Sequence, residues 1–212
     1  MDFMQIFTLV TGVIYIILEI RQKNFMWVVG ILTSIAAMWV FFRQGLYASF
    51  ILNGYYLVTA FIGLWQWKRD RNRIGSGENG CSVSEDKIHL NRLSRKTLII
   101  SAIATIAGTI LLAEIMVRFE NPMSYMDSAV TVLSAVATWW LVKAYLQQWW
   151  LWIIADTMST ILCAMQGLWW MSALYLLYAL SAIYGLQHWR TQAKSLVGFS
   201  LLFIFHVEIQ VY

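Results

Sequence analysis

The amino-acid sequence predicts an all-α integral membrane protein with seven transmembrane helices. Of its 212 residues, 60% are hydrophobic and only 12% are charged, a balance that a soluble domain of this length cannot bury. Apolar runs of about 20 residues, the length that crosses a bilayer, recur along the chain. A third observation, an internal repeat of two three-helix units, predicts that the helices are arranged as 3+1+3.

Seven apolar segments are predicted to span the membrane. In chain order they are residues 3–20, 25–42, 46–67, 97–117, 128–146, 149–165 and 168–189. Each is expected to be helical, because backbone groups in hydrocarbon must be satisfied within the segment. The connections at 43–45 and 166–167 are so short that the helices they join must be antiparallel neighbours.

Two segments are predicted to lie outside the membrane. Residues 68–96 begin with four basic side chains and continue through a Gly-, Ser- and Asn-rich tract, which is typical of a mobile cytoplasmic linker. A phosphate-binding loop is not supported, since the glycines follow no predicted strand. Residues 191–212 are expected to form a cytoplasmic or interfacial tail, because the apolar core at 201–205 is too short to span.

The distribution of basic residues predicts the orientation. If the N-terminus lies outside, 13 of the 15 Lys and Arg fall in the inner loops and the tail. Only Arg43 and Arg118 then lie on the outer side. By the positive-inside rule, we expect an outer N-terminus and a cytoplasmic C-terminus.

The internal repeat appears when the chain is aligned with itself at an offset of 122 residues. Trp27 then pairs with Trp149, Tyr56 with Tyr178, and Trp67 with Trp189. Over residues 27–67, 11 of 41 positions are identical, where roughly three are expected by chance. Units 1–67 and 122–190 are therefore predicted to be parallel repeats, and the helix at 97–117 restores the orientation of the second unit. Such repeats favour a transporter with a central substrate site.

The strongest candidate site lies on the sixth predicted helix. Trp149, Trp152 and Asp156 fall at i, i+3 and i+7, so two indoles and a carboxylate share one face. An ionisable residue inside a membrane span is by default a functional candidate, and aromatic rings beside a carboxylate suit an organic cation. The alternatives are interfacial anchoring for Trp149 and a structural ion-pair partner for Asp156. The repeat mate of Asp156 is Ser34.

Polar stripes on other helices supply further candidates. Asn53 and Tyr56 follow helical spacing on the third helix, as Tyr175 and Tyr178 do on the seventh. Buried amides and phenols need hydrogen bonds, so ligand contact and helix–helix association explain these residues about equally well.

Two other sets of polar residues are less specific. Thr131, Ser134 and Thr138 share a face of the fifth helix and are expected to line a pathway or to pack. Glu19 and Glu114 stand near helix ends, which predicts positions at the membrane interface.

Several function classes lack their motifs in this sequence. No P-loop, zinc motif or pair of haem-ligating histidines is present, and no basic stripe interleaved with aromatics favours nucleic acid. We therefore predict no cofactor, no metal site and no catalytic residue. The simplest interpretation is a facilitator that transports without energy coupling; a membrane enzyme and a structural membrane protein are the alternatives from other classes.

The chain resembles the PnuC-type vitamin transporters. The resemblance of the second half rests on Trp152-Ile-Ile-Ala-Asp156, Gln166-Gly-Leu, Leu174-Tyr175-x-x-Tyr178, Gly185 and Trp189. The first half is similar through Leu52-Asn53-x-Tyr55-Tyr56, Gly63 and Trp67. The family usually has Asn at the position of Asp156.

The resemblance implies a fold and a function. It implies a 3+1+3 arrangement like that of the SWEET sugar transporters, a possible homotrimer, and facilitated diffusion across the bacterial inner membrane. The expected substrate is a cationic vitamin precursor, nicotinamide riboside first and thiamine as the alternative, trapped afterwards by a cytosolic kinase. Trp152 would stack on the ring, Asp156 would compensate its charge, and Asn53, Tyr56 and Tyr178 would bind polar groups.

Overall fold

The computed structural model describes residues 3–43, 47–75, 90–91, 93–117 and 124–209. Seven α-helices occupy these ranges: α1 (Phe3–Ile20), α2 (Phe25–Arg43), α3 (Tyr47–Gly75), α4 (Arg95–Val117), α5 (Ser124–Val142), α6 (Gln148–Met165) and α7 (Trp169–Ile209). The predicted turn at 43–45 falls mostly outside the described residues, as does the predicted start of the second unit at 122.

Two helices are longer than predicted. α3 continues beyond Trp67 to Gly75, so the first part of the predicted mobile linker is helical, and the prediction was wrong there. α7 continues beyond Trp189 to Ile209, through most of the predicted tail. Hydropathy predicts the part of a segment that lies in the hydrocarbon of the membrane. The helix itself ends only where the residues no longer favour helical structure. Residues 76–89, the middle of the predicted linker, lie outside the described residues.

Membrane-spanning character is clearest in three helices. Within the described residues, Arg95–Val117, Tyr125–Val142 and Trp169–Gln192 are long and apolar enough to cross a bilayer, while Val10–Ile20 and Phe25–Trp39 are shorter apolar helices. α6 falls below this level of hydropathy because it contains Asp156 and three tryptophans. Apolar side chains of α4 such as Ile100 and Leu111 are largely exposed, as expected of a surface that contacts lipid.

Helix packing follows the two predicted units. α2 packs on α3 and α6 on α7, while α1 lies against α2 and α5 against α6. The two units meet where α3 contacts α5 and where α7 contacts α1. These two contacts are equivalent at the offset of 122 residues, which relates α1 to α5 and α3 to α7. α4 packs on α5, and the Trp140 indole donates a 3.1 Å hydrogen bond to the Ser101 hydroxyl across that contact.

The ends of α1 and α5 have the same backbone geometry. Gln22 and Ala144, which are 122 residues apart, both have positive φ, at 55° and 53°. Each amide bonds back three residues, Gln22 to the Glu19 carbonyl and Ala144 to the Leu141 carbonyl, both at 2.9 Å. This is the pattern of a Schellman C-cap, here formed without glycine. Gln22 differs from its repeat mate Ala144, and Glu19 differs from Leu141. The sequence alignment alone therefore does not reveal that the two helix ends are equivalent.

Four buried indoles, Trp27, Trp67, Trp149 and Trp189, form the tryptophan cluster. Trp27 lies edge-on to Trp67 with ring centroids 5.4 Å apart and an interplanar angle of 89°. Trp149 and Trp189 repeat both values. Trp67 and Trp189 then contact each other at 6.3 Å, which joins the two units. The cluster therefore has matching geometry in each unit.

Two glycines allow the tryptophan cluster to pack closely. A Cβ added at Gly63 would lie 2.5 Å from the Trp27 ring, and one added at Gly185 would lie 2.5 Å from the Trp149 ring. Such distances are well inside van der Waals contact, so only glycine fits at these positions. The two glycines are repeat mates, as are the two tryptophans that cover them.

Hydrogen bonds from the tryptophan cluster tie each unit to the other. The Trp67 indole donates to the Val142 carbonyl of α5 at 3.3 Å, and the Trp189 indole donates to the Ile20 carbonyl of α1 at 3.1 Å. Val142 and Ile20 are also 122 residues apart. Each donor therefore satisfies a carbonyl at the end of a helix in the opposite unit.

Candidate functional site

A cavity of about 300 Å³ lies between the helices of the two units. Six of the seven helices line it, and α4 does not. The lining residues are Thr11, Gly12, Tyr15, Ile16, Glu19, Trp27, Gly30, Thr33, Ser34, Asn53, Tyr56, Ala60, Thr138, Trp149, Trp152, Asp156, Tyr178 and Ala182. The volume is at the lower end of the range of small-molecule sites.

Most of the residues predicted for the site line this one cavity. They are Trp149, Trp152, Asp156, Asn53, Tyr56 and Tyr178. The seventh, Tyr175, is not in the lining and lies edge-on to Tyr178, with ring centroids 6.2 Å apart. Thr138 is the member of the predicted fifth-helix stripe that reaches the cavity.

The Asp156 carboxyl is buried and available to a ligand. Asp156 is 8% exposed and lies two turns into α6. Among the described residues its carboxyl makes no hydrogen bond or ion pair, and its backbone carbonyl accepts a 2.8 Å hydrogen bond from the Thr160 hydroxyl. Among the residues that the structure describes, no lysine or arginine lines the cavity. A buried carboxyl without a cationic partner is costly, which favours a ligand that supplies the positive charge.

Trp152 stands one turn before Asp156 and lines the same cavity. Its indole nitrogen is buried without a hydrogen-bond partner among the described residues. Because α6 carries both residues at i and i+4, their side chains lie on one face, as the sequence predicts. An indole beside a carboxyl can bind a cationic ring through cation–π attraction and charge.

Trp149 and Trp27 occupy equivalent positions in the cavity wall. They are 2% and 1% exposed, so Trp149 is buried in protein, and interfacial anchoring does not describe it. Trp150, its neighbour, is 54% exposed and suits that role. The indole nitrogens of Trp27 and Trp149 are both buried and lack a hydrogen-bond partner among the described residues. Buried N–H groups normally have one, so these two are exceptions within the described part of the chain.

Glu19 corrects an expectation from the sequence. It stands near the end of α1 as predicted, but it is 3% exposed and lines the cavity rather than a surface. The Gln148 side-chain amide donates a 3.2 Å hydrogen bond to its carboxyl. The end of α1 is covered by the start of α6, which proximity to a helix end does not reveal. The cavity therefore holds a second carboxyl group.

Several lining residues were not predicted from the sequence. Trp27 and Ser34 are the repeat mates of Trp149 and Asp156, so the offset of 122 residues could have identified them. Tyr15 and Thr11 of α1 carry no comparable signal, because the first helix lies outside the aligned identities. Within the described residues, no group of three or more His, Cys, Asp or Glu side chains could hold a metal ion.

Comparisons with known proteins identify the family. A family model described as nicotinamide mononucleotide transporter matches residues 2–191. The nicotinamide riboside transporter PnuC of Escherichia coli (strain K12) is 23% identical over 184 residues, which covers 73% of this chain and 71% of the relative. The protein of the same name from Neisseria mucosa is 22% identical over 194 residues, which covers 87% of this chain and 71% of the relative.

A solved structure has the same fold. The crystal structure of the vitamin B3 transporter PnuC superposes with a TM-score of 0.66 at 20% sequence identity, covering 89% of this chain and 80% of that one. The resemblance inferred from the sequence motifs is thereby confirmed. Because the family model matches nearly the whole chain up to residue 191, the chain belongs to the nicotinamide mononucleotide transporter family and is a multi-pass membrane transporter.

Proposed function

We propose that this chain carries nicotinamide riboside across the inner membrane by facilitated diffusion. The observation that carries the proposal is that Trp152 and Asp156 line one buried cavity in which no described residue supplies a cation. A pyridinium ring needs an aromatic surface and a negative charge, and these two side chains offer both. The curated relatives are named as nicotinamide riboside transporters, which supports the same substrate.

Charge distinguishes the riboside from the mononucleotide that the family description names. A phosphate group would bring negative charge into a cavity that is lined by Glu19 and Asp156 and, within the described part of the chain, by no lysine or arginine. Like charges in a poorly hydrated site repel strongly. The riboside, whose ring is positive and whose sugar is neutral, meets no such repulsion.

Thiamine is the second candidate substrate. Its thiazolium ring is also cationic, and the Asp156 carboxyl suits either ring, whereas the family usually has Asn at this position. Trp152 would stack on either ring in the same way. The names of the relatives favour the riboside.

We also propose the 3+1+3 arrangement, with units 1–67 and 122–190 as parallel repeats, α4 between them and a cytoplasmic linker at 68–96. The matching geometry at positions 122 residues apart supports it. The N-terminus would lie outside and the C-terminus, with its tail at 191–212, in the cytoplasm. Transport would follow from rocking of one unit against the other around the cavity. A homotrimer and trapping of the product by a cytosolic kinase complete the proposal.

Uptake into proteoliposomes tests the substrate. We expect saturable entry of labelled nicotinamide riboside. An excess of unlabelled riboside should abolish this entry, and nicotinamide mononucleotide at the same concentration should leave it nearly unchanged. Liposomes without protein are the control. Saturable uptake of labelled thiamine with no riboside uptake would replace the first substrate by the second, and the absence of uptake of either cation would contradict the proposal.

A further inference from the structure

Gly12 of α1 lies against the hydroxyl end of the Tyr178 ring of α7. A Cβ added at Gly12 would lie 2.3 Å from the Tyr178 hydroxyl oxygen, far inside van der Waals contact. Both residues line the cavity, and they belong to different three-helix units. Glycine is the least favourable residue inside a helix apart from proline, so a glycine in the middle of α1 needs an explanation. The close approach of Tyr178 supplies one.

The overlap with an added Cβ is caused by the hydroxyl group of Tyr178. The next atom of that side chain, Cζ, would lie 3.4 Å from the added Cβ, which is an ordinary contact. A tyrosine side chain has only two torsions, so its hydroxyl moves only when the rigid ring swings. A side chain at Gly12 would therefore push the Tyr178 ring away from α1, and the open space beside that ring is the cavity that it lines.

The equivalent position in the other unit has no such space. The repeat mate of Gly12 is Ser134, which has a Cβ, so α5 offers no equivalent room to Tyr56, the repeat mate of Tyr178. The Tyr178 hydroxyl is also close enough to the Asp156 carboxyl to interact with it electrostatically. Gly12 thus makes room on the side of the cavity where the candidate charged group lies.

We propose that Gly12 is a positioning residue that sets which substrates fit, because it lets the Tyr178 hydroxyl lie against α1 and out of the cavity. This inference deepens the proposed function and rests on it, since the ligand that needs the space is the cation bound at Trp152 and Asp156. The cavity of about 300 Å³ is at the lower end of the range of small-molecule sites. An inward shift of one ring therefore excludes a larger ligand before a smaller one.

Binding of two ring cations to the purified full chain tests the inference. Nicotinamide riboside is the larger ligand and N-methylnicotinamide is the smaller one. For Gly12→Ala we expect the Kd for the riboside to rise at least about tenfold, the effect of one methylene in a tight pocket, and the Kd for N-methylnicotinamide to change less than about threefold. Equal weakening of both ligands, or no weakening of either, would overturn the inference.

Gly54→Ala is the matched control, because it also replaces a glycine inside a helix. A Cβ at Gly54 would lie 3.8 Å from the Met38 methyl, an ordinary distance, and Gly54 is not among the residues that line the cavity. This variant should leave both Kd values unchanged.

Removing the Tyr178 hydroxyl separates an effect through Tyr178 from an effect on α1 itself. In a Tyr178→Phe background the overlap is gone, so adding Gly12→Ala should change the Kd for the riboside less than about twofold relative to Tyr178→Phe alone. Equal weakening by Gly12→Ala in the two backgrounds would mean that Gly12 acts through α1, and the inference would be wrong. If Gly12→Ala alone does not fold, the double variant should fold, and failure of both would count against the inference.

Thermal unfolding of the same variants without ligand separates this inference from the proposed function. We expect Gly12→Ala to lower Tm when Tyr178 is present but not in the Tyr178→Phe background, because alanine otherwise favours a helix more than glycine does. If the unmodified protein binds thiamine and not the riboside, the proposed substrate is wrong, but the Tm comparison still decides whether Gly12 places Tyr178. If the riboside binds and neither its Kd nor the Tm depends on this pair of residues, only the present inference is wrong.

Discussion

The tryptophan cluster and the cavity beside it are built from equivalent positions of the two units, but they have diverged to different degrees. In the cluster, Trp27 with Trp67 and Trp149 with Trp189 have the same centroid distance and angle. In the cavity wall, by contrast, the carboxyl residue Asp156 has the hydroxyl residue Ser34 as its repeat mate. Contacts that hold the helices together have stayed alike, whereas the cavity wall keeps some matching pairs, such as Tyr56 with Tyr178, and differs at others, such as Ser34 and Asp156. The proposed ligand, which has one charged end, would require such a difference.

The largest effect is expected from substitutions in the tryptophan cluster, where the two units have matching geometry. Gly63→Ala and Gly185→Ala each place a Cβ 2.5 Å from a buried indole that has little room to move. Overpacking of this kind costs up to about 3 kcal/mol, and we expect each variant to lower Tm by roughly 6–12 °C. Thermal unfolding in detergent, with the folded fraction followed by size-exclusion chromatography, measures the Tm of both variants.

The control for this pair is Gly54→Ala. Among the described residues, a Cβ at Gly54 would meet the Met38 methyl alone, at 3.8 Å, which is an ordinary contact, so the Tm of this variant should not fall. Loss of stability in one of the Gly63 and Gly185 variants but not in the other would show that the cluster is not equivalent in the two units.

An intermediate effect is expected in the cavity wall, where Asp156 and its repeat mate Ser34 differ. Asp156→Ala removes the carboxyl that we propose faces the ring cation, and a charged interaction of about 1.5–3 kcal/mol corresponds to a 10–100-fold rise in Kd for nicotinamide riboside. Its thermal stability should be unchanged or higher, because an unpaired buried carboxyl is lost. Ser34→Ala, at the mate position, should change Kd less than about threefold. Similar losses in the two variants, measured by ligand titration and uptake, would contradict the division of roles.

The smallest effect is expected from removing the indole hydrogen bonds that join the two units. Trp67→Phe and Trp189→Phe keep a ring in the cluster and remove the donors to the Val142 and Ile20 carbonyls. Each should cost about 1 kcal/mol, or roughly 2–4 °C in Tm, and the two losses should match. Trp65→Phe, at an indole that is 63% exposed, should leave Tm unchanged. A loss confined to one of the two cluster variants in the same thermal assay would count against matched cross-unit bonds.

Much of the fold was predictable from the sequence. α1 has the predicted bounds, and the predicted seven helices agree with the described structure except at their ends. The extension of α3 to Gly75 was missed because hydropathy reports the part of a helix that hydrocarbon accepts, and that of α7 to Ile209 because its apolar core at 201–205 is too short to be predicted as a span. A helix that continues into water leaves no such signal.

The site was predictable where spacing within one helix decides it. Trp152 and Asp156 were identified because they share a face of α6. Glu19 was placed wrongly because its partner Gln148 is 129 residues away and belongs to another helix. Tyr175 shares a stripe with Tyr178 but is rotated by about 60° around the helix, which is enough to leave the cavity.

The crossed hydrogen bonds of Trp67 and Trp189 have a consequence for any opening between the two three-helix units at the tryptophan cluster. Such an opening would separate Trp67 from Trp189, and each indole is bonded to the opposite unit. A partial separation would leave a buried donor or carbonyl unpaired, at about 1–3 kcal/mol for each group. Opening there is therefore expected to be concerted, so that it occurs as infrequent complete openings rather than as gradual widening.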